Sequence, residues 1–102
     1  WEGLVIENIH SVLPKTAQTY FYRTSAGAEI DIIVKISSNE IWAVEIKSTT
    51  VPQVKKHFHQ TCKDIKATHK YIVYGGDDEF SIGKNTKVVS LKKFMEKLAR
   101  IS

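Results

Sequence analysis

Three charged side chains interrupt segments of the sequence that otherwise resemble the buried core of a sheet. Asp31 lies within the apolar run Ile30–Val34, and Glu45 and Lys47 lie within the next apolar run, Ile41–Lys47. An ionised side chain in an apolar strand costs free energy unless it is paired or bound to a metal. Because side chains alternate along a strand, Glu45 and Lys47 project from the same face. These charges are therefore the first candidates for chemistry.

The same alternation places Glu29 and Asp31 on one face, so two neighbouring strands would present carboxylates beside a lysine. Carboxylate oxygens are the ligands that Mg²⁺ and Mn²⁺ prefer, and one or two of them with a substrate phosphate suffice for Mg²⁺. Such an ion polarises a phosphodiester and lowers the pKa of its bound water, while a lysine stabilises developing charge. The pattern predicts metal-dependent phosphodiester hydrolysis. The alternative is an ion pair on a solvated sheet face.

Length and composition describe one compact domain over residues 1–102. The chain is 42% apolar and 25% charged, and its apolar runs are shorter than the ~20 residues of a membrane-spanning helix. Cys62 is the only cysteine, which excludes an intramolecular disulfide, and the sequence has no signal-peptide pattern. We expect a cytoplasmic location without membrane association. Because the sequence begins at Trp1 rather than Met, we also expect one domain of a larger protein.

Charge is divided unevenly along the chain. Residues 1–47 carry four basic and six acidic side chains, for a net charge of −2, and residues 48–102 carry a net charge of +6. A basic half that faces a polyanion suits a nucleic-acid-processing domain, because phosphate contacts supply the sequence-independent part of the affinity. From composition alone, a solvated lysine-rich surface is the simpler explanation.

Hydrophobic periodicity predicts the elements that must position the charged residues. We expect an amphipathic helix over residues 1–13, and a second helix that begins near Pro52. We expect a last helix capped by Ser90. The predicted strands cover Tyr20–Arg23, residues 29–36, Ile41–Lys47, Tyr71–Tyr74 and Lys87–Val89. The order helix, three strands, helix, one or two strands, helix predicts an α/β (α+β) fold in which helices flank a mixed central sheet.

The apolar residues at helical or strand spacing form the predicted core. In the first helix they are Trp1, Leu4, Val5, Ile9, Val12 and Leu13, and in the first long strand Ile30, Ile32, Val34 and Ile36. In the second helix they are Val54, Phe58, Cys62 and Ile65, and in the last helix Leu91, Phe94, Leu98 and Ile101.

Two groups of residues are candidates for nucleic-acid contact. Tyr20, Tyr22 and Arg23 would lie at the sheet edge, and aromatic and guanidinium planes stack on bases and bind phosphates. Packing of the tyrosines into the core is the alternative. On the second helix, four lysines fall on the polar side and would follow a phosphate backbone or simply be solvated. They are Lys55, Lys56, Lys63 and Lys66.

The charged residues and the element order resemble the PD-(D/E)XK nuclease superfamily, whose restriction-endonuclease-like core has the order αβββαβ. Asp31, thirteen intervening residues and Glu45-Ile46-Lys47 carry this resemblance, together with Glu7 on the preceding helix. The sequence is more closely similar to the C-terminal domain of unknown function that follows an AAA+ ATPase module in many bacterial and archaeal proteins. The motifs that carry this similarity are Ile6-Glu7-Asn8, Tyr20-Phe21-Tyr22-Arg23-Thr24, Gly27-Ala28-Glu29-Ile30-Asp31 and Val44-Glu45-Ile46-Lys47-Ser48.

The resemblance implies a metal-dependent nuclease. Asp31 and Glu45 would bind Mg²⁺ or Mn²⁺ together with the backbone carbonyl of Ile46. Lys47 would position or activate water, and Glu7 would assist with the metal. DNA and an AAA+ ATPase domain in the same full-length chain would be the partners. No proline precedes Asp31, which departs from the fullest form of the superfamily motif.

The resemblance also implies a role for Gln60, because many relatives place a polar residue that faces the site at this point of the second helix. Two alternatives to a general nuclease stay open. One is a catalytically inactive module that uses the same fold to dock DNA or a protein for an attached ATPase. The other is a Holliday-junction resolvase, which shares the fold and the charged motif.

Overall fold

The computed structural model describes residues 1–13, 15–23, 29–47, 58–82 and 86–101. These residues form a mixed α/β fold with three helices and one six-stranded mixed sheet. In chain order the elements are α1 (Glu2–Val12), β1 (Gln18–Arg23), β2 (Glu29–Ser37), β3 (Glu40–Ile46), α2 (Phe58–Asp64), β4 (His69–Tyr74), β5 (Phe80–Ser81), β6 (Thr86–Ser90) and α3 (Leu91–Ala99). The structure confirms the prediction of a mixed sheet flanked by helices.

The strand order in the sheet is β1-β2-β3-β4-β6-β5. Strands β1, β2 and β3 form an antiparallel meander, in which β2 and β3 are a hairpin. Strand β3 pairs in parallel with β4, and β4 pairs in parallel with β6. A parallel pair needs a crossover connection, and the chain between β3 and β4 contains α2. The short strand β5 pairs antiparallel with β6 at the outer edge.

Apolar side chains on the two faces of the sheet form separate cores, because successive residues of a strand point to opposite faces. The first core lies between the sheet and the pair α1 and α3. It contains Val5, Ile9, Ile32, Val34, Trp42, Val44, Ile46, Tyr71, Val73, Val89, Phe94 and Leu98. The second core lies under α2 and contains Ile30, Ile33, Ala43, Phe58 and Cys62.

A bulge interrupts the pairing of β1 with β2. Tyr20 pairs with Ile33 and Tyr22 pairs with Ile30, so Phe21 alone faces two residues of β2. A bulge of this kind adds one unpaired residue to a strand and bends it locally. Bulges are frequent beside functional sites, where they redirect a side chain.

The two bulged residues of β2 are Asp31 and Ile32. The extra residue reverses the alternation, so Ile30 packs with Ile33 in the second core while Ile32 packs in the first core. The expectation that Ile30 shares a face with Ile32 is therefore wrong. A strict period of two cannot anticipate one inserted residue.

Helix α1 buries fewer residues than its apolar spacing predicts. Val5 and Ile9 are fully buried, but Trp1 and Leu4 are 45% and 53% exposed. Trp1 precedes the helix, and its indole Nε1 donates a hydrogen bond to the carbonyl oxygen of Lys47 at 2.9 Å. The amphipathic pattern therefore overestimates the core contribution of the first turn.

The later elements follow the predictions with one addition. Phe58 and Cys62 are buried on α2, and the predicted helix start at Pro52 lies outside the described residues. Ser90 caps α3 as predicted, and its Oγ accepts a hydrogen bond from the backbone N–H of Lys93 at 3.2 Å. The two-residue strand β5 was not predicted, because so short a segment shows no periodicity. Within the described ranges, no helix is long and apolar enough to cross a membrane.

Candidate functional site

Strands β2 and β3 bring Asp31 and Glu45 to the same place in the sheet. The pairing of the two strands ends at Ile32 and Val44, and Asp31 and Glu45 are the next residues of β2 and β3 beyond this pair. The backbone N–H of Ile46 donates a hydrogen bond to Oδ2 of Asp31 at 2.7 Å. A carboxylate thus accepts an N–H from the neighbouring strand, a role that a backbone carbonyl has in a regular ladder. The carboxylate of Asp31 is fixed at the end of the hairpin.

Glu45 and Lys47 form an ion pair at the carboxyl end of β3. Glu45 is 1% exposed, whereas the side chain of Lys47 is 26% exposed. The Nζ atom of Lys47 lies 3.6 Å from Oε1 of Glu45. The backbone N–H of Lys47 donates to the carbonyl of Val73 at 2.8 Å, which extends the pairing with β4 beyond the strand end. The ammonium group therefore lies between a buried carboxylate and solvent.

Glu45 lies on the α2 face of the sheet. It is two residues from Ala43, which belongs to the second core. Burial raises the pKa of the nearby Cys62 thiol to about 11; the positive charge of Lys70 opposes this increase, and the negative charge of Glu45 adds to it. Alternation along β3 therefore places Glu45 on the face covered by α2 rather than the face covered by α1.

Trp1 connects this site to a cavity at the same end of the sheet. Its indole donates to the carbonyl of Lys47, and its side chain lines a cavity of about 540 Å³. The turn Tyr74–Asp77 and the first turn of α3, with Lys92 and Lys93, also line this cavity. It lies at the carboxyl ends of the parallel strands β4 and β6, a common position for ligand sites in α/β sheets.

Glu7 and Gln60 occupy exposed positions. Glu7 lies on the outer side of α1, whose buried residues pack on the first core rather than on the α2 face. Gln60 is exposed on α2, and its side-chain amide donates to Oδ1 of Asp64 at 3.2 Å. The roles that the resemblance gives to both residues stay predictions.

The residues predicted to contact nucleic acid are only partly described. Tyr22 and Arg23 lie in β1, but their side chains are outside the description, as are Lys55 and Lys56 entirely. The structure also shows a residue that sequence reasoning missed, because Phe21 is 71% exposed at the bulge. Only the register of β1 against β2 marks this position, since an aromatic run normally indicates a buried strand.

Asp31 and Glu45 are the candidate ligands for a divalent cation. Asp31 and Glu45 supply hard carboxylate oxygens from adjacent strands, and these suit Mg²⁺ or Mn²⁺ better than softer metals. Among the described residues, no group of three or more His, Cys, Asp or Glu side chains could hold a metal ion. The chemistry of the two carboxylates fits Mg²⁺, which commonly takes only one or two of them with water and phosphate.

The fold and this site define a mixed α/β domain that has two carboxylates and a lysine at the end of a β hairpin. Residues 1–94 match the family described as a domain of unknown function, DUF4143, and the chain belongs to that family.

Two curated relatives come from mycobacteria. "Uncharacterized protein Rv2008c" of Mycobacterium tuberculosis and "Uncharacterized protein Mb2031c" of Mycobacterium bovis are each 29% identical over 89 residues. Each match covers 87% of this chain and 20% of the relative. The chain therefore spans about a fifth of the length of these relatives. No solved structure matches the chain significantly.

Proposed function

We propose that this domain is a Mg²⁺- or Mn²⁺-dependent DNA phosphodiester hydrolase with a restriction-endonuclease-like core. The main support for the proposal is the Asp31 carboxylate, which accepts the N–H of Ile46, the residue that follows Glu45 on β3. The order α1-β1-β2-β3-α2-β4, with β3 and β4 parallel, corresponds to the αβββαβ order of that core. The Nζ atom of Lys47, 3.6 Å from Oε1 of Glu45, supplies the positively charged side chain that such a site needs.

Asp31, Glu45 and the carbonyl of Ile46 would hold the metal ion. The bound ion would polarise the phosphodiester and acidify its water. The partly exposed ammonium of Lys47 donates hydrogen bonds to the attacking water or to the phosphate oxygens, where negative charge develops. The carboxylate of Glu45 holds that ammonium in place, and the Ile46 N–H holds the carboxylate of Asp31.

The whole protein would be longer than this domain. The mycobacterial relatives are about five times the length of the match, so the domain would act as one part of a larger chain. An AAA+ ATPase module in that chain would be its partner, as the sequence resemblance implies. The ATPase would bring DNA to the domain, and the domain would cleave it.

The test is cleavage of plasmid, linear, single-stranded and four-way-junction DNA in Mg²⁺ or Mn²⁺. We expect cleavage by the parent chain, no cleavage by Asp31→Asn, and a loss of about 100-fold or more in Lys47→Ala. Asp64→Asn and Lys15→Ala are matched controls, because both side chains are exposed and neither residue lies on β2 or β3. Calorimetry with Mn²⁺ should show binding to the parent and to Asp64→Asn, and none to Asp31→Asn.

Unchanged cleavage by Asp31→Asn would contradict the proposal. A strong preference of a stable dimer for four-way junctions would instead identify a resolvase within the same chemistry.

A second candidate function is a catalytically inactive module that binds DNA or a protein for an attached ATPase. One observation favours it: the described residues offer no third acidic or histidine ligand beside the two carboxylates. DNA binding that depends on salt, without turnover on any substrate in either metal, would select this candidate.

A further inference from the structure

Three lysines surround one glutamate beside α3. The Oε1 atom of Glu79 lies 3.2 Å from Nζ of Lys97, and its Oε2 atom lies 3.7 Å from Nζ of Lys87. Burial opposes ionisation of Glu79, but the hydrogen bond from Lys97 and the charges of Lys97, Lys87 and Lys93 outweigh it and lower the pKa of Glu79. A single carboxylate thus lies in the field of three ammonium groups.

This cluster continues into a charged groove along α3. The groove has a volume of about 410 Å³, and every residue that lines it is charged: Glu79, Lys93, Glu96, Lys97 and Arg100. With Lys87, four basic and two acidic side chains leave a net charge of +2. We call these six residues the α3 basic patch.

The α3 basic patch lies on the opposite side of the sheet from Glu45. Lys87 pairs with Tyr71 across β6 and β4, and Tyr71 belongs to the first core, between the sheet and α3. Glu45 lies on the α2 face. The patch is therefore a separate surface from the candidate hydrolytic site.

We propose that the α3 basic patch binds the phosphate backbone of duplex DNA. Protein interfaces are depleted in Lys and Glu and enriched in aromatic residues, so an entirely charged groove fits a polyanion better than a folded protein surface. Lys93 and Lys97 are one helical turn apart, about 6 Å along the axis, and present two ammonium groups on the same side of α3. This binding needs no hydrolysis and extends the domain's contact with DNA beyond the carboxylate site.

The salt dependence of DNA binding tests the proposal. Binding of the chain to a fluorescent duplex would be measured by anisotropy in EDTA, over ~50 to 200 mM salt. Replacement of Lys93 and Lys97 by Gln should make the slope of log K against log salt shallower by about 1.8, since each lost phosphate contact removes ~0.9. The double variant Lys15→Gln with Lys35→Gln removes the same charge from positions outside the patch and should leave the slope unchanged.

The variant Glu79→Gln should change the affinity for DNA in the opposite direction. It removes the carboxylate that competes with phosphate for Lys97 and Lys87, so DNA should bind several-fold more tightly at low salt. A purely structural role for Glu79 predicts unchanged or weaker binding. Thermal melting of each variant shows whether the fold is retained.

Several outcomes would overturn the proposal. They are absence of DNA binding at low salt, an equal effect of the control pair, and tighter binding to polyglutamate than to DNA, which would indicate an acidic protein partner. Because the binding is measured in EDTA, it reports the patch without metal-dependent cleavage. Patch-dependent binding without cleavage would therefore reject the hydrolase and leave this inference standing.

Discussion

Asp31 has a structural role as well as a candidate chemical one. Its carboxylate accepts the N–H of Ile46 at the point where the pairing of β2 and β3 ends. Loss of this acceptor would leave a strand N–H without its partner, and such losses cost more than an average hydrogen bond is worth. An Asn at this position separates the effect of the charge from that of the hydrogen bond, because its amide oxygen can also accept the Ile46 N–H.

We predict that Asp31→Ala lowers the free energy of unfolding by about 2 kcal/mol, whereas Asp31→Asn lowers it much less. The amide oxygen of Asn can still accept the Ile46 N–H at the same position. Urea unfolding of both variants measures the difference, with Asp64→Ala as a control at an exposed helical site. Equal destabilisation by Ala and Asn would show that charge, not the hydrogen bond, matters for stability.

At the scale of elements, the turn after β4 depends on a close approach between backbone and ring. Tyr74 is buried, and its hydroxyl accepts a hydrogen bond from the backbone N–H of Asp78 at 3.1 Å. A Cβ atom on Gly76 would overlap the ring of Tyr74. Because the ring is held by this bond and by the core, it cannot move aside freely.

We predict that Gly76→Ala lowers the free energy of unfolding by about 1–3 kcal/mol, the usual cost of overpacking. Gly3→Ala is the matched control, because nothing lies within 4 Å of a Cβ at this position in α1. That variant should be stabilised by about 0.5–1 kcal/mol, since Ala favours helix over Gly. Thermal melting of both proteins measures the two effects. A neutral Gly76→Ala would show that the turn can rearrange.

The elements with strong periodicity were predictable from the sequence, and the irregular ones were not. The hairpin of β2 and β3 and the cap of α3 by Ser90 follow from alternation and capping chemistry. The bulge at Asp31 and Ile32 does not, because it is defined by the register against β1. Strand β5 forms through pairing with β6 rather than through its own two residues.

The sequence also predicts the regular part of the candidate site and not the part that depends on tertiary contacts. Alternation correctly places Glu45 and Lys47 on one face, where they form an ion pair. The hydrogen bond between the Ile46 N–H and Asp31 requires both the hairpin register and the bulge, so no local pattern could indicate it. The charged groove along α3 was missed for a similar reason, because Glu79 joins Lys87 and Lys97 only in the folded chain.

For the whole molecule, two buried groups couple stability to alkaline pH. Burial raises the pKa of Cys62 to about 11 from its ordinary value of 9.0, with Lys70 opposing the increase and Glu45 adding to it. Burial also raises the pKa of Tyr71, and the charges of Glu79 and Glu40 add to that effect. Both groups hold their protons more tightly in the folded state than in the unfolded state. Their contribution to stability is complete below the unfolded pKa and is lost as pH rises through the folded pKa.

We predict that the parent chain loses about 1 kcal/mol more unfolding free energy than Cys62→Ala when the pH rises from about 8 to about 10. The thiol is buried in the second core, so only the unfolded chain forms the thiolate readily in this range. Urea unfolding at the two pH values measures the difference, and Tyr71→Phe isolates the phenol. Identical losses in the parent and Cys62→Ala would rule out the thiol as the source.

The hydrogen bond to the carbonyl of Lys47 makes Trp1 a second fluorescent reporter, beside Trp42. The chain has two tryptophans, and Trp42 is buried against Tyr71 and Phe94, with ring centroids 4.9 Å and 5.9 Å away. Emission from Trp42 therefore reports whether the fold is intact. Emission from the half-exposed Trp1 reports the environment of the residue that follows β3. In a Trp42→Phe variant, Trp1 is the remaining tryptophan of the sequence. Its fluorescence would then report ligand binding at the end of the hairpin, without an added label and without catalytic turnover.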